Sequence, residues 1–536
     1  MGNWNFADVW EALAAAQPDA TAQVHGVRRS TWGAFDRRAD GVGRALLAAG
    51  LGHQDKVALY LYNGPEYLEG QFAAMKAGLV PVNTNYRYGA DELAYLWDNA
   101  DARAVIFHGS FTDTIEAVRA RVPGVRLWLW VDDGSGPCPA WAEPYEAAAE
   151  ADGERARGSW GRSGDDQIIV YTGGTTGMPK GVMWRQDDLF VVLTSTRSRR
   201  YDDDGDPTEV VQYLASTDVR RVCLPAAPLM HGTGMFACLT QLSDGGSVVT
   251  STVRRFDVAD LLDTIDREHV NVLVIVGDAF AKPILSALDA EPDRWDISSL
   301  SLIVSSGVMW SSGSKDGLLR HHPGMLLLDQ LASSEALGMG RSITGKGRPT
   351  GTASFKLGDR TKVITDDGRI LEPGSDEVGR LAMKGRNPVG YYKDPVKTDE
   401  TFPRIDGERW SVPGDYAMVE ADGSLRLLGR GSVSINTGGE KVFPEEVEEV
   451  VKTVASVRDA VVVGVPHERF GETVVAVVEP AEGATVDADE ILAAVGARLA
   501  TYKVPRRIVI IDSIARAANG KVDYKRLRQF ATDQAD

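Results

Sequence analysis

The sequence predicts an α/β protein. Its expected parts are a large N-terminal domain of layered α/β subdomains with a small β-barrel-like subdomain, and a small α+β C-terminal domain. Three observations carry this. Helical and strand-like stretches alternate through the first part of the chain, the mark of a mainly parallel sheet. Short apolar runs bounded by glycine recur further on and fit buried strands. After about Gly345 the texture changes to short strands separated by Asp-Gly turns such as Asp367-Gly368 and Asp422-Gly423.

In chain order, Trp32 to Ala49 has helical spacing and stops at Gly50, a C-cap signal. Lys56-Val-Ala-Leu-Tyr-Leu-Tyr62 reads as a strand closed by Asn63-Gly64. A helix over Glu66–Ala77 stops at Gly78, a strand follows at Leu79–Asn83, and Ala104-Val-Ile-Phe107 continues the alternation. Residues 132–165, rich in Gly, Pro, Ala and charge, read as a surface excursion. Strands resume at Gln167–Tyr171, Val270–Val276 and Leu300–Val304, then at Lys362–Thr365, Gly379–Met383 and Ser424–Leu428. A tail from residue 431 alternates a helix near Pro444–Val454, strands at Ala460–Val465 and Val474–Val478, and a helix at Ala488–Leu499. The expected domains are therefore residues 1–430 and 431–536.

The chain has 536 residues, with 58 Lys and Arg against 76 Asp and Glu, so its net charge of −18 argues against a nucleic-acid partner. Hydrophobic residues make up 43% and charged residues 25%, which excludes wholesale disorder. Cys138, Cys223 and Cys238 form no C-x-x-C pair, so neither a disulfide framework nor a structural zinc site is expected. No apolar run reaches the length of a transmembrane segment, and no secretory signal is visible, so the expected location is cytoplasmic. Asp202-Asp-Asp-Gly-Asp206 lacks the remaining positions of a calcium loop and reads as a solvated turn.

Chemistry concentrates in Tyr171-Thr-Gly-Gly-Thr-Thr-Gly-Met-Pro-Lys-Gly181, which follows a predicted strand. Gly173, Gly174 and Gly177 let backbone N–H groups approach an anion, and Thr172, Thr175 and Thr176 add hydroxyl donors. Lys180 supplies a mobile positive charge. This is the chemistry of a polyphosphate cradle. It is not a Walker A loop, because Met178-Pro179 separates Gly177 from Lys180.

Further motifs follow in order: Pro228-Leu-Met-His-Gly-Thr-Gly234, Ser306-Gly-Val308, Asp329-Gln-Leu-Ala-Ser-Ser-Glu335, Trp410-Ser-Val-Pro-Gly-Asp415, Gly429-Arg430 and Asn519-Gly-Lys521. With the glycine-rich loop, this set resembles the adenylate-forming superfamily of acyl-CoA synthetases, luciferases and peptide-synthetase adenylation domains. The resemblance runs to residue 521. It implies ATP, Mg²⁺ and coenzyme A as the small molecules used. A carboxylate attacks the α-phosphate of ATP to give an acyl-adenylate and pyrophosphate, and a thiol then displaces AMP. Homodimers are common among such enzymes.

The resemblance also implies residue roles. Lys521 bridges carboxylate and α-phosphate. Glu335 holds Mg²⁺, with Thr172 as the other expected metal ligand. The Thr172–Lys180 loop cradles the β- and γ-phosphates, and Ser334 donates to phosphate in place of the family's Thr. Ser306, Gly307 and Val308 form the adenine turn, and Asp329, Gln330, Leu331, Ala332 and Ser333 line the nucleotide. Asp415 and Arg430 hold the ribose. His231 gates the acyl pocket against the thiol channel. Ser432 is the expected hinge, where family members often carry Asp or Lys, and Gly438 and Gly439 would let pantetheine pass close to backbone. Leu331 and Ala332 stand where the family has an aromatic and Gly, so a stacking surface for the base is missing. Pro413 replaces the usual hydroxyl residue.

Candidate acyl-pocket residues are Met230, Met235, Phe236, Gly277, Phe280, Val308 and Met309. They are mostly apolar and several are flexible, which suits a bulky hydrophobic acid. Val182-Met-Trp-Arg-Gln-Asp-Asp188 and Ile275-Val-Gly-Asp-Ala-Phe-Ala-Lys-Pro283 are similar to segments of actinobacterial fatty-acyl and steroid-side-chain CoA ligases. Medium- to long-chain or steroid side-chain acids are the expected substrates. Two alternatives are an acyl-AMP ligase that loads a carrier protein and a catalytically silent nucleotide-binding protein.

Overall fold

The computed structural model describes residues 3–172, 178–195, 201–217, 220–308, 310–346, 354–358, 360–437, 440–467, 470–517, 520 and 522–534. Of the expected site residues, Gly173, Gly174, Thr175, Thr176, Gly177, Met309, Gly438, Gly439 and Lys521 lie outside this set, as do the side chains of Arg430 and Ser432. The chain divides into two compact units. The larger holds Met1–Gly174, Met178–Thr352 and Lys384–Ser411; the smaller holds Ala353–Met383 and Val412–Asp536.

The larger unit contains two sheets. One runs in the order Arg28–Thr31, Thr21–His25, Ser247–Thr250, Val222–Pro225, Val272–Ile275, Leu302–Ser306, Leu326–Ser333 and Ala336–Thr344. Its interior pairs are parallel, and the two outer pairs are antiparallel. The other runs Gly390–Tyr391, Lys180–Arg185, Gln167–Thr172, Val80–Asn83, Lys56–Tyr60, Ala102–His108, Leu127–Val131 and Glu143–Pro144. From Gln167–Thr172 onward its pairs are parallel.

Three apolar clusters build the layers. A central one packs the helices Phe6–Ala16, Trp32–Ala48, Pro65–Lys76 and Gly232–Ser243 against inward residues of both sheets, such as Val248 on one and Leu59 on the other. A second covers the outer face of the first sheet with Val258–Glu268, Asp278–Ala290 and Ser312–His321. The third covers the second sheet with Ala90–Asn99. Pro65–Lys76 is buried on all sides. Its terminal Lys76 ammonium is satisfied by Asp36, Asp40 and Glu11 at 2.6, 2.8 and 3.1 Å, the condition for a charge in a core.

Residues 132–165 are less of an excursion than their composition suggests. They contribute the strand Glu143–Pro144 and the helix Tyr145–Ala149, and the buried Tyr145 hydroxyl donates to Glu69 at 2.9 Å. Arg162, with a side chain 2% exposed, pairs with Glu11 and Asp8. Short-range composition carries no record of such partners, which lie far away in the chain.

The smaller unit begins with an antiparallel sheet in the order Ser354–Leu357, Ser424–Arg430, Asp415–Val419 and Gly379–Lys384, with Thr361–Ile364 on the last. Its C-terminal part has a five-stranded sheet in which Val457–His467 and Arg507–Ile510 flank Gly471–Pro480. The period of two sends Val462, Ala476 and Val478 to one face, against Pro444–Val451 and Ala488–Gly496. Val461, Val475 and Val477 face Tyr524–Asp533 on the other.

Candidate active site

Most expected site segments of the larger unit leave the carboxyl ends of its parallel strands, the edge where open α/β sheets bind ligands. Thr172 ends Gln167–Thr172, Pro228–Gly234 follows Val222–Pro225, and Gly277 follows Val272–Ile275. Gly307 follows Leu302–Ser306, and Ser334-Glu335 follows Leu326–Ser333. Lys180 opens the antiparallel return strand and lies opposite Thr172.

Two asparagines tie these segments together. Asn83 donates to the carbonyls of Tyr171 and Met230 at 2.9 and 2.6 Å and accepts from Tyr171 N–H at 2.6 Å. Asn63 donates to Ala227 O at 3.2 Å and accepts from Leu229 N–H at 2.7 Å. An amide is the side chain that can donate and accept at once, as these backbone groups require. The stem of the glycine-rich loop is thereby fixed to the segment that carries His231.

His231 is the N-cap of Gly232–Ser243 and is half-buried. The turn before it demands glycine at 234, where a Cβ would lie 2.6 Å from Pro228 O. A Cβ on Gly232 would stand 3.6 Å from Ser334 Oγ, and one on Gly307 would stand 3.7 Å from Thr233 Oγ1. The expected adenine turn, the N-terminus of this helix and the tip at Ser334-Glu335 are therefore neighbours. Free N–H groups at such a helix start favour an anion. Ser333 Oγ, buried beside the tip, has no hydrogen-bond partner among the described residues.

Ser334 and Glu335 form the two-residue turn of a hairpin whose strands meet at Ser333 and Ala336. Three side chains pin it. Trp184 Nε1–H donates to Ser334 O at 2.9 Å, Ser411 hydroxyl to Glu335 O at 2.7 Å, and Tyr391 hydroxyl to Glu335 Oε1 at 2.8 Å. Oε2 of Glu335 carries no hydrogen bond among the described residues. One oriented carboxylate with an open oxygen fits Mg²⁺, which is usually held by one or two carboxylates together with phosphates and water. Among the described residues there is no group of three or more His, Cys, Asp or Glu suited to an all-protein metal cage.

Lys180 Nζ is 3.1 Å from Asp394 Oδ2 and 5.6 Å from the Tyr391 ring centroid. Asp329 faces inward, 4% exposed, with Lys315 Nζ 3.2 Å from its Oδ2. Burial pushes the Asp329 carboxyl up to about 6, against the pull of Lys315 and with a push from Asp278. Gln330, Ala332 and Val308 are half-buried, while Leu331 and Ser306 are buried.

The acyl-pocket candidates Met230, Met235, Phe236 and Phe280 are all buried, and Gly277 N–H donates to Ser305 Oγ at 2.9 Å. Gly277 has φ +53, a value that suits glycine. Phe280 meets Phe256 edge-on at 4.8 Å. In the smaller unit, Asp415 and Arg430 are opposite residues of an antiparallel pair, and Asp415 is buried.

The supporting contacts of Asn63, Asn83, Trp184, Lys315, Tyr391, Asp394 and Ser411 escaped the sequence reading, although Trp184 and Ser411 lie inside the segments 182–188 and 410–415 that it singled out. Lys315 also left a local signal, a lysine three residues before the buried Leu318 on Ser312–His321.

A model of the AMP-binding enzyme family matches residues 10–392, and a model of the AMP-binding enzyme C-terminal domain matches residues 446–521. A medium/long-chain-fatty-acid–CoA/3-oxocholest-4-en-26-oate–CoA ligase of Mycolicibacterium smegmatis is 40% identical over 531 residues, covering 97% of this chain and 95% of that protein. A 3-oxocholest-4-en-26-oate–CoA ligase of Rhodococcus rhodochrous is 39% identical over 539 residues, covering 99% and 96%. Among solved structures, ATP-bound MatB from Rhodopseudomonas palustris superposes with a TM-score of 0.81 at 26% identity, covering 99% of this chain and all of that one.

Proposed function

The chain belongs to the AMP-binding enzyme family, and on that premise we propose that it is an AMP-forming acid–thiol ligase that activates a hydrophobic carboxylic acid with ATP and transfers the acyl group to coenzyme A. The observation that carries this reading is the pinned Ser334-Glu335 tip beside the N-terminus of Gly232–Ser243 and the Ser306–Val308 turn.

A carboxylic acid is already ionised at neutral pH, so the first step needs no general base. The obstacle is an anion approaching a polyanion. It falls to cations and oriented donors, as in phosphoryl transfer generally. Lys180 and the glycine-rich loop hold the β- and γ-phosphates. The N–H groups at the start of Gly232–Ser243 add donors near the same place. Glu335 would hold Mg²⁺, and the metal, when bound, would offset negative charge on the phosphates. Asp415 accepts from the ribose hydroxyls, with Arg430 beside it in register. Lys521 carries the positive charge to the α-phosphate. Residues 431–536 turn about Ser432 between the half-reactions, so that Gly438 and Gly439 line the thiol path in the second. His231 separates acid from thiol.

A bulky acid is favoured by the apolar candidates Met230, Met235, Phe236 and Phe280 and by the substrates that the names of the two ligases give. The test is CoA-dependent AMP release with ATP and Mg²⁺ across short, medium and long fatty acids, aryl acids and steroid side-chain acids. Turnover is expected with the bulky acids. AMP release confined to short or aryl acids would overturn the substrate class, and none with any acid would overturn the ligase.

A further inference from the structure

Two groups of opposite charge meet ATP in the proposed reaction, and one short segment touches both. Tyr391 hydroxyl donates to Glu335 Oε1 at 2.8 Å, and three residues later Asp394 faces Lys180 Nζ at 3.1 Å. The ammonium also lies over the Tyr391 ring.

The segment is itself firmly held. Gly390 and Tyr391 pair with Met183 and Val182 on the strand that Lys180 opens. Tyr391 N–H donates to Thr398 Oγ1 at 2.9 Å, and that hydroxyl donates to Asp394 O at 2.7 Å. A Cβ at position 390 would stand 2.5 Å from Thr398 Cγ2, so glycine is needed for this approach. The Tyr391 ring is buried against Phe402, at 5.9 Å between centroids. From this fixed ring its hydroxyl reaches Glu335 Oε1.

We propose that Tyr391 is a positioning residue for the metal-holding carboxylate: by occupying Oε1 of Glu335 it turns Oε2 outward, while Asp394, on the same segment, keeps Lys180 at a set place until phosphate replaces it. This rests on the reading of Glu335 as the residue that holds Mg²⁺ in an AMP-forming ligase. A carboxylate free to rotate about its last bond would present its oxygens in many directions and would lose affinity for a cation that demands near-ideal geometry. The benzene ring alone fills the core. The hydroxyl is what the packing does not need.

The test is Tyr391→Phe, which keeps the ring. Mn²⁺ serves as the probe metal, its binding read by electron paramagnetic resonance in the presence of a non-hydrolysable ATP analogue. A hydrogen bond to a charged group has a typical value that converts to roughly tenfold in affinity. Mn²⁺ should bind Tyr391→Phe about tenfold more weakly than wild type. In a Glu335→Gln background the same change should add nothing, because two residues acting through one group are not additive. Equal Mn²⁺ affinity in wild type and Tyr391→Phe overturns the proposal. So does a full tenfold loss repeated in the Glu335→Gln background, which would place the effect elsewhere. A wild type that binds Mn²⁺ with the analogue but releases no AMP with any acid sinks the ligase reading instead, and leaves the Tyr391 result to stand on its metal affinity.

Discussion

Replacing Lys315 by Met removes the cation that faces Asp329 inside the larger unit. The two side chains are 1% and 5% exposed and 3.2 Å apart. Burial raises the Asp329 carboxyl from its ordinary 3.8 to about 6, even with Lys315 pulling it down and Asp278 pushing it up. The folded chain thus holds that proton more tightly than the unfolded chain. Stability is greatest below about pH 4 in this respect and is lost as pH rises to about 6, by about 3 kcal/mol at roughly 1.4 kcal/mol per pH unit.

Without Lys315, the charged form of Asp329 has lost its counter-ion. At pH 8 the change leaves a buried carboxylate to be either unpaired or protonated against the solvent, a cost of about 3–5 kcal/mol. At pH 5 Asp329 is already mostly neutral, and the loss should be about 1 kcal/mol or less. With about 2.1 cal/mol/K of unfolding entropy per residue, the larger unit should lose about 4–6 °C in Tm at pH 8 and about 1 °C at pH 5. Scanning calorimetry of wild type and Lys315→Met at both pH values measures this. The double variant Lys315→Met/Asp329→Leu should regain most of the loss at pH 8. A deficit equal at both pH values, or larger at pH 5, would refute the pairing argument.

Asn83→Ala should orphan Tyr171 N–H and the carbonyls of Tyr171 and Met230. The expected outcome is a loss of about 2–4 kcal/mol in denaturant unfolding, together with a raised KM for ATP, since the stem of the glycine-rich loop loses its tie. Lys521→Ala should abolish adenylate formation, read by pyrophosphate exchange, yet spare thioester formation from a supplied acyl-adenylate. Equal loss of both steps would sink that division of labour.

Much of the fold was legible because its cues are local. The glycine that stops Trp32–Ala48 is Gly50 at φ +77, and Gly78 at φ +71 does the same after Pro65–Lys76. The apolar run 270–276 carries the core strand Val272–Ile275 for the same reason. The motif segments could be picked out because the chemistry they suggest is written in residue type. The supports of the site were not. Tyr391 is 56 residues from Glu335, Asn83 is 147 from Met230, and Trp184 is 150 from Ser334. A tyrosine, an asparagine and a tryptophan in a strand or at its end look alike whether they hold a catalytic group or fill space. What distinguishes them is which atom they reach, and only tertiary packing decides that. Residues 132–165 show the same limit from the other side, where a composition typical of surface hides Tyr145 and Arg162 inside.

The way the Ser334-Glu335 tip is gripped bears on how such a site can drift. Trp184 and Ser411 hold carbonyl oxygens, and every residue has one. The address they read is therefore independent of what side chain stands at the tip. The side chains of Leu331, Ala332 and Ser334 can therefore change without loosening either clamp. The carboxylate at 335 is read by its own side chain, through Tyr391. A substitution at 331, 332 or 334 leaves the tip where it is, whereas one at 335 also loses the bond that Tyr391 makes.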